Sequence, residues 1–264
     1  MARNSSWPER LSTLTSFEKA VIVGSITLAT FLVVDPLVLS AVRDFHPDVR
    51  SFFKLLTDLG RSNWILIPSG LAILVLGWMR VRETRFRRVV TYGYAAQLLI
   101  FLFAAVALSG LAASLTKNIL GRARPKLFDA LGSLEFQPFT FDADFASFPS
   151  GHATTTGALA GVLMIVWPRA RVMIVCAGLW IAATRFLIGA HYFSDALVGF
   201  AFGLAGAYLL RDRLAVRRWL FEKDARGDIR LRGRSLLDAT IHAALRWMPD
   251  LRPNSHSAAT KPRQ

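Results

Sequence analysis

The sequence predicts an all-α, polytopic membrane protein built as a bundle of six transmembrane helices. Three observations predict it. Hydrophobic residues make up 53% of the 264 residues and charged residues only 19%, with a mean hydropathy of +0.38. Soluble chains carry more charge than this. The apolar residues fall in long blocks rather than alternating with polar ones, as membrane helices require. The basic residues, which bring the net charge to +14, gather on one side of those blocks. A disulfide-stapled secreted fold is excluded, because Cys176 is the only cysteine, and the apolar content excludes a disordered chain.

Six apolar blocks occupy residues 20–42, 63–79, 89–115, 152–167, 172–190 and 192–210. Each approaches the ~20 residues that cross a bilayer as helix. The second and fourth are short and need flanking residues or a thinner local bilayer. The fifth and sixth nearly touch, so a tight turn around Gly189–Phe193 must separate them. The first block starts too late and runs too long for a cleaved signal peptide. Ahead of it, 1–19 reads as a cytoplasmic amphipathic segment, with a capping box at Ser6 and Glu9 and Pro8 early in its helix. The blocks form one six-helix membrane domain over 20–210. Residues 211–264 read as a basic cytoplasmic tail. It contains an amphipathic helix over 235–248, lying at the membrane surface or packed on the spans, and a disordered end from Pro249. There is no internal repeat and no soluble domain.

Lys and Arg set the orientation. With the amino terminus in the cytoplasm, segments 1–19, 80–88, 168–171 and 211–264 lie inside and hold 23 of the 32 basic residues. The nine-residue loop Arg80–Arg88 alone carries five arginines, and short loops weigh most in such counting. Both termini are therefore expected in the cytoplasm. The positive charge reads as this asymmetry plus attraction to anionic lipid, rather than as a nucleic-acid footprint.

Ionisable groups at span ends are expensive and mark function. Lys117 and Arg124 follow the third block, while Ser150, Gly151 and His152 open the fourth. Arg185, His191 and Asp195 straddle the turn between the last two. With six spans, the loop after the third and the turn after the fifth share a membrane face. By the orientation above that face is external, periplasmic in a Gram-negative bacterium whose inner membrane holds the chain. Arginine's rigid fork suits paired phosphate oxygens, and lysine acts as a point charge. Pro125 holds Arg124 extended. Pro149 and Gly151 shape a turn into a helix start, where backbone N–H groups and the helix dipole favour an anion and Ser150 adds a hydroxyl. His191 and Asp195 are four apart. A carboxylate bonded to one imidazole nitrogen would fix the tautomer and free the other nitrogen as a nucleophile. Together these residues describe metal-free phosphoryl transfer, with no cofactor and no metal ligand set.

These residues also resemble a known family, the type-2 phosphatidic acid phosphatase superfamily of membrane lipid phosphate phosphatases, related to vanadium haloperoxidases. Its three motifs, K-x6-R-P, P-S-G-H and S-R-x5-H-x3-D, are similar to Lys117-NILGRA-Arg124-Pro125, Pro149-Ser150-Gly151-His152 and Thr184-Arg185-FLIGA-His191-YFS-Asp195. The resemblance covers about residues 50–210, and Thr184 departs by standing where the family has Ser. It implies a six-helix bundle with the active site at the external face, and a phosphohistidine on His191 oriented by Asp195. It further implies His152 as acid to the leaving group and phosphate held by Lys117, Arg124, Ser150, Gly151 and Arg185. The implied substrate is a phospholipid or polyprenyl phosphate: undecaprenyl diphosphate, phosphatidylglycerol phosphate, phosphatidic acid or a lipid A phosphate. A phosphotransferase would use the same residues. A transporter is disfavoured, because transport sites lie near the midplane of repeated halves.

Other residues carry blander expectations. Arg122 reads as a lipid-headgroup contact, and Asp35, before Pro36, as an acid meeting water in the outer third of the first helix, with a proton relay as the alternative. Arg185 would take Asp195 as its partner when no phosphate is bound. Cys176 reads as an inert core thiol. Asp142 and Asp144 form an Asp-x-Asp pair that holds magnesium in other phosphatases, but in a soluble strand context absent here. The surrounding Phe136, Phe139, Phe141, Phe145 and Phe148 read instead as an aromatic lip for acyl or prenyl chains. Residues 126–148 are the expected specificity element.

Overall fold

The structure is a computed structural model that describes Thr15, Ser25 and residues 27–233. The expected amphipathic segment 1–19, apart from Thr15, and the expected helix 235–248 lie outside the described residues.

The described chain is mainly helical. A π-helical turn, Thr30–Val34, leads into α1, Asp35–Arg43. It is followed by α2, Pro47–Thr57, then α3, Asn63–Arg82, and α4, Phe86–Leu120. A short α5, Phe128–Leu131, sits in the long segment before α6, Gly151–Val166. Two more follow, α7, Arg171–Leu187, and α8, Phe193–Val216. The strands found among the described residues are β1, Phe221–Lys223, and β2, Ile229–Leu231, an antiparallel hairpin pairing Phe221 with Leu231.

Four described helical stretches are long and apolar enough to cross a membrane: Pro47–Arg82, Phe86–Leu120, Pro168–Leu187 and Phe193–Val216, with Gly151–Val166 shorter but apolar. Leu74, Trp78, Leu111, Val172 and Leu209 are exposed, as side chains facing lipid would be. The protein is thus an all-α membrane protein. The helices overrun the apolar blocks. The third block, expected to stop at residue 115, continues as helix to Leu120, so Lys117 stands in its last turn. Residues 47–57, between the first two apolar blocks, form α2. Its start is capped by the His46 ring, which accepts from Asp48 N–H, and Pro47 occupies a favoured first position. The hairpin stands within the stretch taken as tail. Cys176, expected in the core, is exposed on α7.

The chain divides into two compact units, with boundaries inside α3, α4 and α8. One comprises Pro68–Phe101 with residues from Arg211 onward. There Phe101 packs edge-on against Phe221 with ring centroids 4.9 Å apart, and the Glu83 carboxylate binds the backbone N–H groups of Thr84 and Arg85.

The other unit, residues up to Ile67 with Leu102–Leu210, contains every candidate site residue. Its core joins α6, α7 and α8 through Ala153, Ala160, Ala182, Ala196 and Phe200. A second cluster links Ile65 of α3, Val106 of α4 and Ala158 of α6. Helices α6 and α8 also meet main chain to main chain. A Cβ at Gly157 would lie 2.0 Å from Phe200 O, and one at Gly203 would lie 2.0 Å from Thr154 O. Only glycine fits there, as in membrane helices that approach through small residues.

Candidate active site

Three segments carry the site, and each is fixed by its own backbone chemistry. After α4, Gly121 takes φ +63°, and a Cβ there would collide with Gln137 O. The close approach lets Gln137 N–H donate to Gly121 O at 2.7 Å, and Ala123 N–H donates to Glu135 O. Arg124 is then extended, its N–H donating to Asp144 O at 2.8 Å. The second segment is the start of α6. Ser150 precedes the first helical residue and donates its N–H to Asp195 O at 3.0 Å, but its side chain makes no capping bond. In the third, α7 ends on Gly189 at φ +72°, and the N–H groups of Ala190 and His191 both return to Arg185 O. This is a left-handed helix cap. Asp195, third in α8, reaches back to Tyr192 N–H at 2.9 Å, the carboxylate half of a capping box.

These segments bring together all eight residues singled out from the sequence. Lys117 lies within electrostatic reach of Arg124, Arg185 and His152, Arg185 within reach of Arg124 and His152, and His191 within reach of His152, Arg185 and Arg124. A Cβ on Gly151 would sit 3.4 Å from Lys117 Nζ. Arg185 is only 9% exposed and donates through Nη1 to Thr57 Oγ1 at 2.9 Å. Asp195 is not its hydrogen-bond partner, because other donors occupy that carboxylate. Within the site, the buried Arg124 Nε, Arg185 Nε and Ser150 Oγ find no partner among the described residues. Such orphans are rare and costly. Donors from a loop, a helix end and a helix start converge where an oxyanion would satisfy them.

His191 is buried. Its Nδ1 lies 2.8 Å from Ser147 O and 3.7 Å from Asp195 Oδ2. A carbonyl oxygen only accepts, so Nδ1 carries the proton and Nε2 the lone pair. The tautomer is therefore set first by the nearer Ser147 carbonyl, with the Asp195 carboxylate the more distant partner of the same nitrogen. Asp195 acts one step back, accepting from Ser147 Oγ at 2.5 Å and from Tyr192 N–H. Burial holds the His191 imidazole below its ordinary pKa, against the opposing pull of Asp195.

Behind Asp195 stands a group that the sequence reading misplaced. Arg122, expected at lipid headgroups, is 0% exposed. Its Nη1 donates to Asp195 Oδ1 at 2.6 Å and its Nη2 to Asp35 Oδ2 at 2.8 Å. The rings of Phe31 and Tyr192 cover its two faces at 4.3 and 4.2 Å. Asp35, expected to meet water, is 1% exposed. Removing one partner of a buried pair costs about 3–5 kcal/mol. Thr57 and Ser147 are residues that the sequence did not single out, and Arg122 is one that it placed wrongly. A usable signal was the buried cost of a lone Asp35 in an apolar helix, which demands a cation somewhere.

Asp142 and Asp144 have structural partners. Asp142 caps a short 3-10 turn by accepting from Asp144 N–H, and Asp144 pairs with Lys126. Among the described residues no group of three or more His, Cys, Asp or Glu could hold a metal. Of the expected aromatic lip, Phe139 and Phe141 are 75% and 87% exposed, while Phe148 packs on Phe31. A cavity of about 600 Å³ opens beside Lys117, Gly151 and His152. It is lined further by Arg61, Ser62 and Asn63 at the start of α3, outside the expected specificity element.

The chain is 38% identical over 157 residues to the lipid A 1-phosphatases of Rhizobium etli and Rhizobium johnstonii, covering 59% of this chain and 67% and 64% of theirs. Two solved structures are similar. One is a transmembrane PAP2 type phosphatidylglycerolphosphate phosphatase from Bacillus subtilis, with 19% identity, 73% of this chain and 92% of that one covered, and a TM-score of 0.46. The other is Aquifex aeolicus LpxE, with 18% identity, 68% and 95% covered, and a TM-score of 0.47. The family model described as PAP2 superfamily matches residues 98–219, a stretch that holds the three motifs and every catalytic candidate. The chain belongs to the PAP2 superfamily and is a membrane lipid phosphatase.

Proposed function

We propose that this phosphatase hydrolyses a lipid phosphate at the outer leaflet through a phosphohistidine on His191. The observation that carries the reading is the His191 Nδ1 contact with Ser147 O, which leaves the lone pair on Nε2 of a ring within electrostatic reach of Arg124 and Arg185. In the first step Nε2 attacks phosphorus while the lipid oxygen leaves and takes a proton from His152. Lys117, Arg124, Arg185, Ser150 and the α6 backbone N–H groups hold the equatorial oxygens, whose charge grows in the transition state. In the second step His152 takes a proton from water, which attacks phosphorus and returns His191 to its neutral form. Asp195 orients the assembly through Ser147. Charge neutralisation needs no divalent ion, because three cations supply it.

The leaving group belongs in the cavity beside His152, whose Arg61, Ser62 and Asn63 suit a polar, hydroxyl-rich or anionic headgroup. The relatives named as lipid A 1-phosphatases make lipid A the leading substrate. Phosphate release by the purified protein, with chelator present, should be fastest on lipid A among the four lipids named above, and vanadate should inhibit it. Release that requires added magnesium would overturn the mechanism. Preference for another lipid would overturn only the substrate assignment.

The six-span domain with both termini in the cytoplasm is part of the same proposal, supported by the arginine-rich loop Arg80–Arg88. Reporter fusions at residues 84 and 170 should read cytoplasmic, and one near 135 external. A cytoplasmic signal at 135 would move the chemistry to the inner leaflet.

A further inference from the structure

We infer that Asp35 is a positioning and charge-balancing residue. By holding the far side of Arg122, it leaves one net negative charge behind His191, matched to the cation that ring becomes when phosphorylated. The inference rests on the phosphohistidine reading above.

Charge and hydrogen bonding carry the argument. All five N–H donors of Arg122 are used. Nε and Nη2 donate to Ser133 O, Nη1 to Ser194 Oγ and Asp195 Oδ1, and Nη2 also to Asp35 Oδ2. The carboxylates are equally complete. Asp35 accepts from Ser194 N–H on Oδ1 and from Ser194 Oγ–H and Arg122 on Oδ2. Asp195 accepts from Arg122 on Oδ1 and from Ser147 and Tyr192 on Oδ2. No contact calls for a proton on either acid, so both are anionic. Arg122 and Asp195 alone would form a neutral pair, and Asp195 would offer His191 little. Asp35 on α1 shares the guanidinium and brings the buried trio to a net −1. When His191 Nε2 bonds to phosphorus and keeps its Nδ1 proton, the imidazolium and the trio together are neutral. Asp35 does not touch His191, and it lies outside residues 98–219 that match the family model.

The charged groups acting on His191 from elsewhere are Asp195 of α8, Arg185 of α7, Arg124 of the loop after α4 and His152 of α6. None of these changes in the variants below. Relative to the native −1, Asp35→Asn sets the trio to 0, Arg122→Gln to −2, and the double variant back to −1. One unit charge at this range moves a titration by about one pH unit at an effective dielectric near 20.

The test is the ¹⁵N titration of the His191 imidazole in purified full-length protein. The chain has five histidines, and His191→Ala identifies the signal. Asp35→Asn should lower the titration by about one unit and slow phosphoenzyme formation about tenfold. Arg122→Gln should raise the titration, and the double variant should return it to the native position. Asp35→Glu, which keeps the charge, should leave it in place. Should Asp35→Asn not fold, the difference between Arg122→Gln and the double variant isolates the same charge. Titrations that stay fixed, or that move the same way in both single variants, would overturn the inference and leave Asp35 a structural residue. An acid-labile label on native His191 is scored separately. Its absence alongside the expected shifts would overturn the phosphohistidine reading and not the charge balance.

Discussion

His191→Ala is expected to abolish phosphate release from every substrate, by a factor on the order of 10⁶, as when a covalent nucleophile is removed from an enzyme that acts as a unit. The charged neighbours of the buried ring are Asp195, Arg185, Arg124 and His152, and His152 is already committed to proton transfer. Binding should survive, since Lys117, Arg124, Arg185 and Ser150 remain. A labelled lipid phosphate should therefore still bind and yet give no acid-labile label. The native enzyme adds a pH signature. Burial depresses the His191 pKa, so the neutral nucleophile persists below the ordinary imidazole range. Activity limited by His191 should fall only as pH drops through that lowered value. A loss already complete near pH 6.5 on a diphosphate substrate would show that the ring is not depressed, or is not the nucleophile.

The second large effect is expected at His152, and it should depend on the leaving group. Losing a general acid typically costs about 10²–10⁴-fold. A simple phosphomonoester leaves as a basic alkoxide and needs the proton badly, whereas a diphosphate leaves as a weaker base and needs it less. His152→Ala should therefore lose most on monoesters. Opening the covalent intermediate still needs a base, so trapped phosphoenzyme should accumulate with diphosphates in this variant. Equal losses on both substrates with no trapped species would show that His152 does not exchange protons with the leaving group.

Much of this architecture was readable from the sequence, and what was not has physical causes. Long apolar blocks locate helices such as α4 and α8 because lipid leaves no other way to satisfy the backbone. Their ends were misjudged where polar residues continue the helix, as at Lys117 in α4. Motif spacing brought the catalytic candidates together because each motif sits on one local turn. The pairing of His191 with Asp195 is present at 3.7 Å, but the Ser147 carbonyl is the nearer partner of Nδ1. An (i, i+4) rule holds inside a helix, but α8 begins only at Phe193, and Asp195 turns back to cap its own helix. The Asp35–Arg122 contact joins residues 87 apart in sequence, and no local pattern announces it. Ser147 escaped notice for a similar reason: its carbonyl meets His191 and its hydroxyl meets Asp195, both far along the chain.

The glycine contacts between α6 and α8 bear on how freely this chain can change over evolutionary time. His152 opens α6 and Asp195 opens α8, and the two helices meet main chain to main chain at Gly157 and Gly203. Backbone has no rotamers, so the spacing of the two helices is indifferent to which side chains fill the surrounding bilayer. Residues such as Leu197 and Leu209, exposed on α8, can drift to suit membranes of different thickness or fluidity while the reacting groups keep their separation. The freedom to adapt to a new lipid environment thus rests on a few main-chain contacts, at Gly157, Gly199 and Gly203, that leave no room for a side chain.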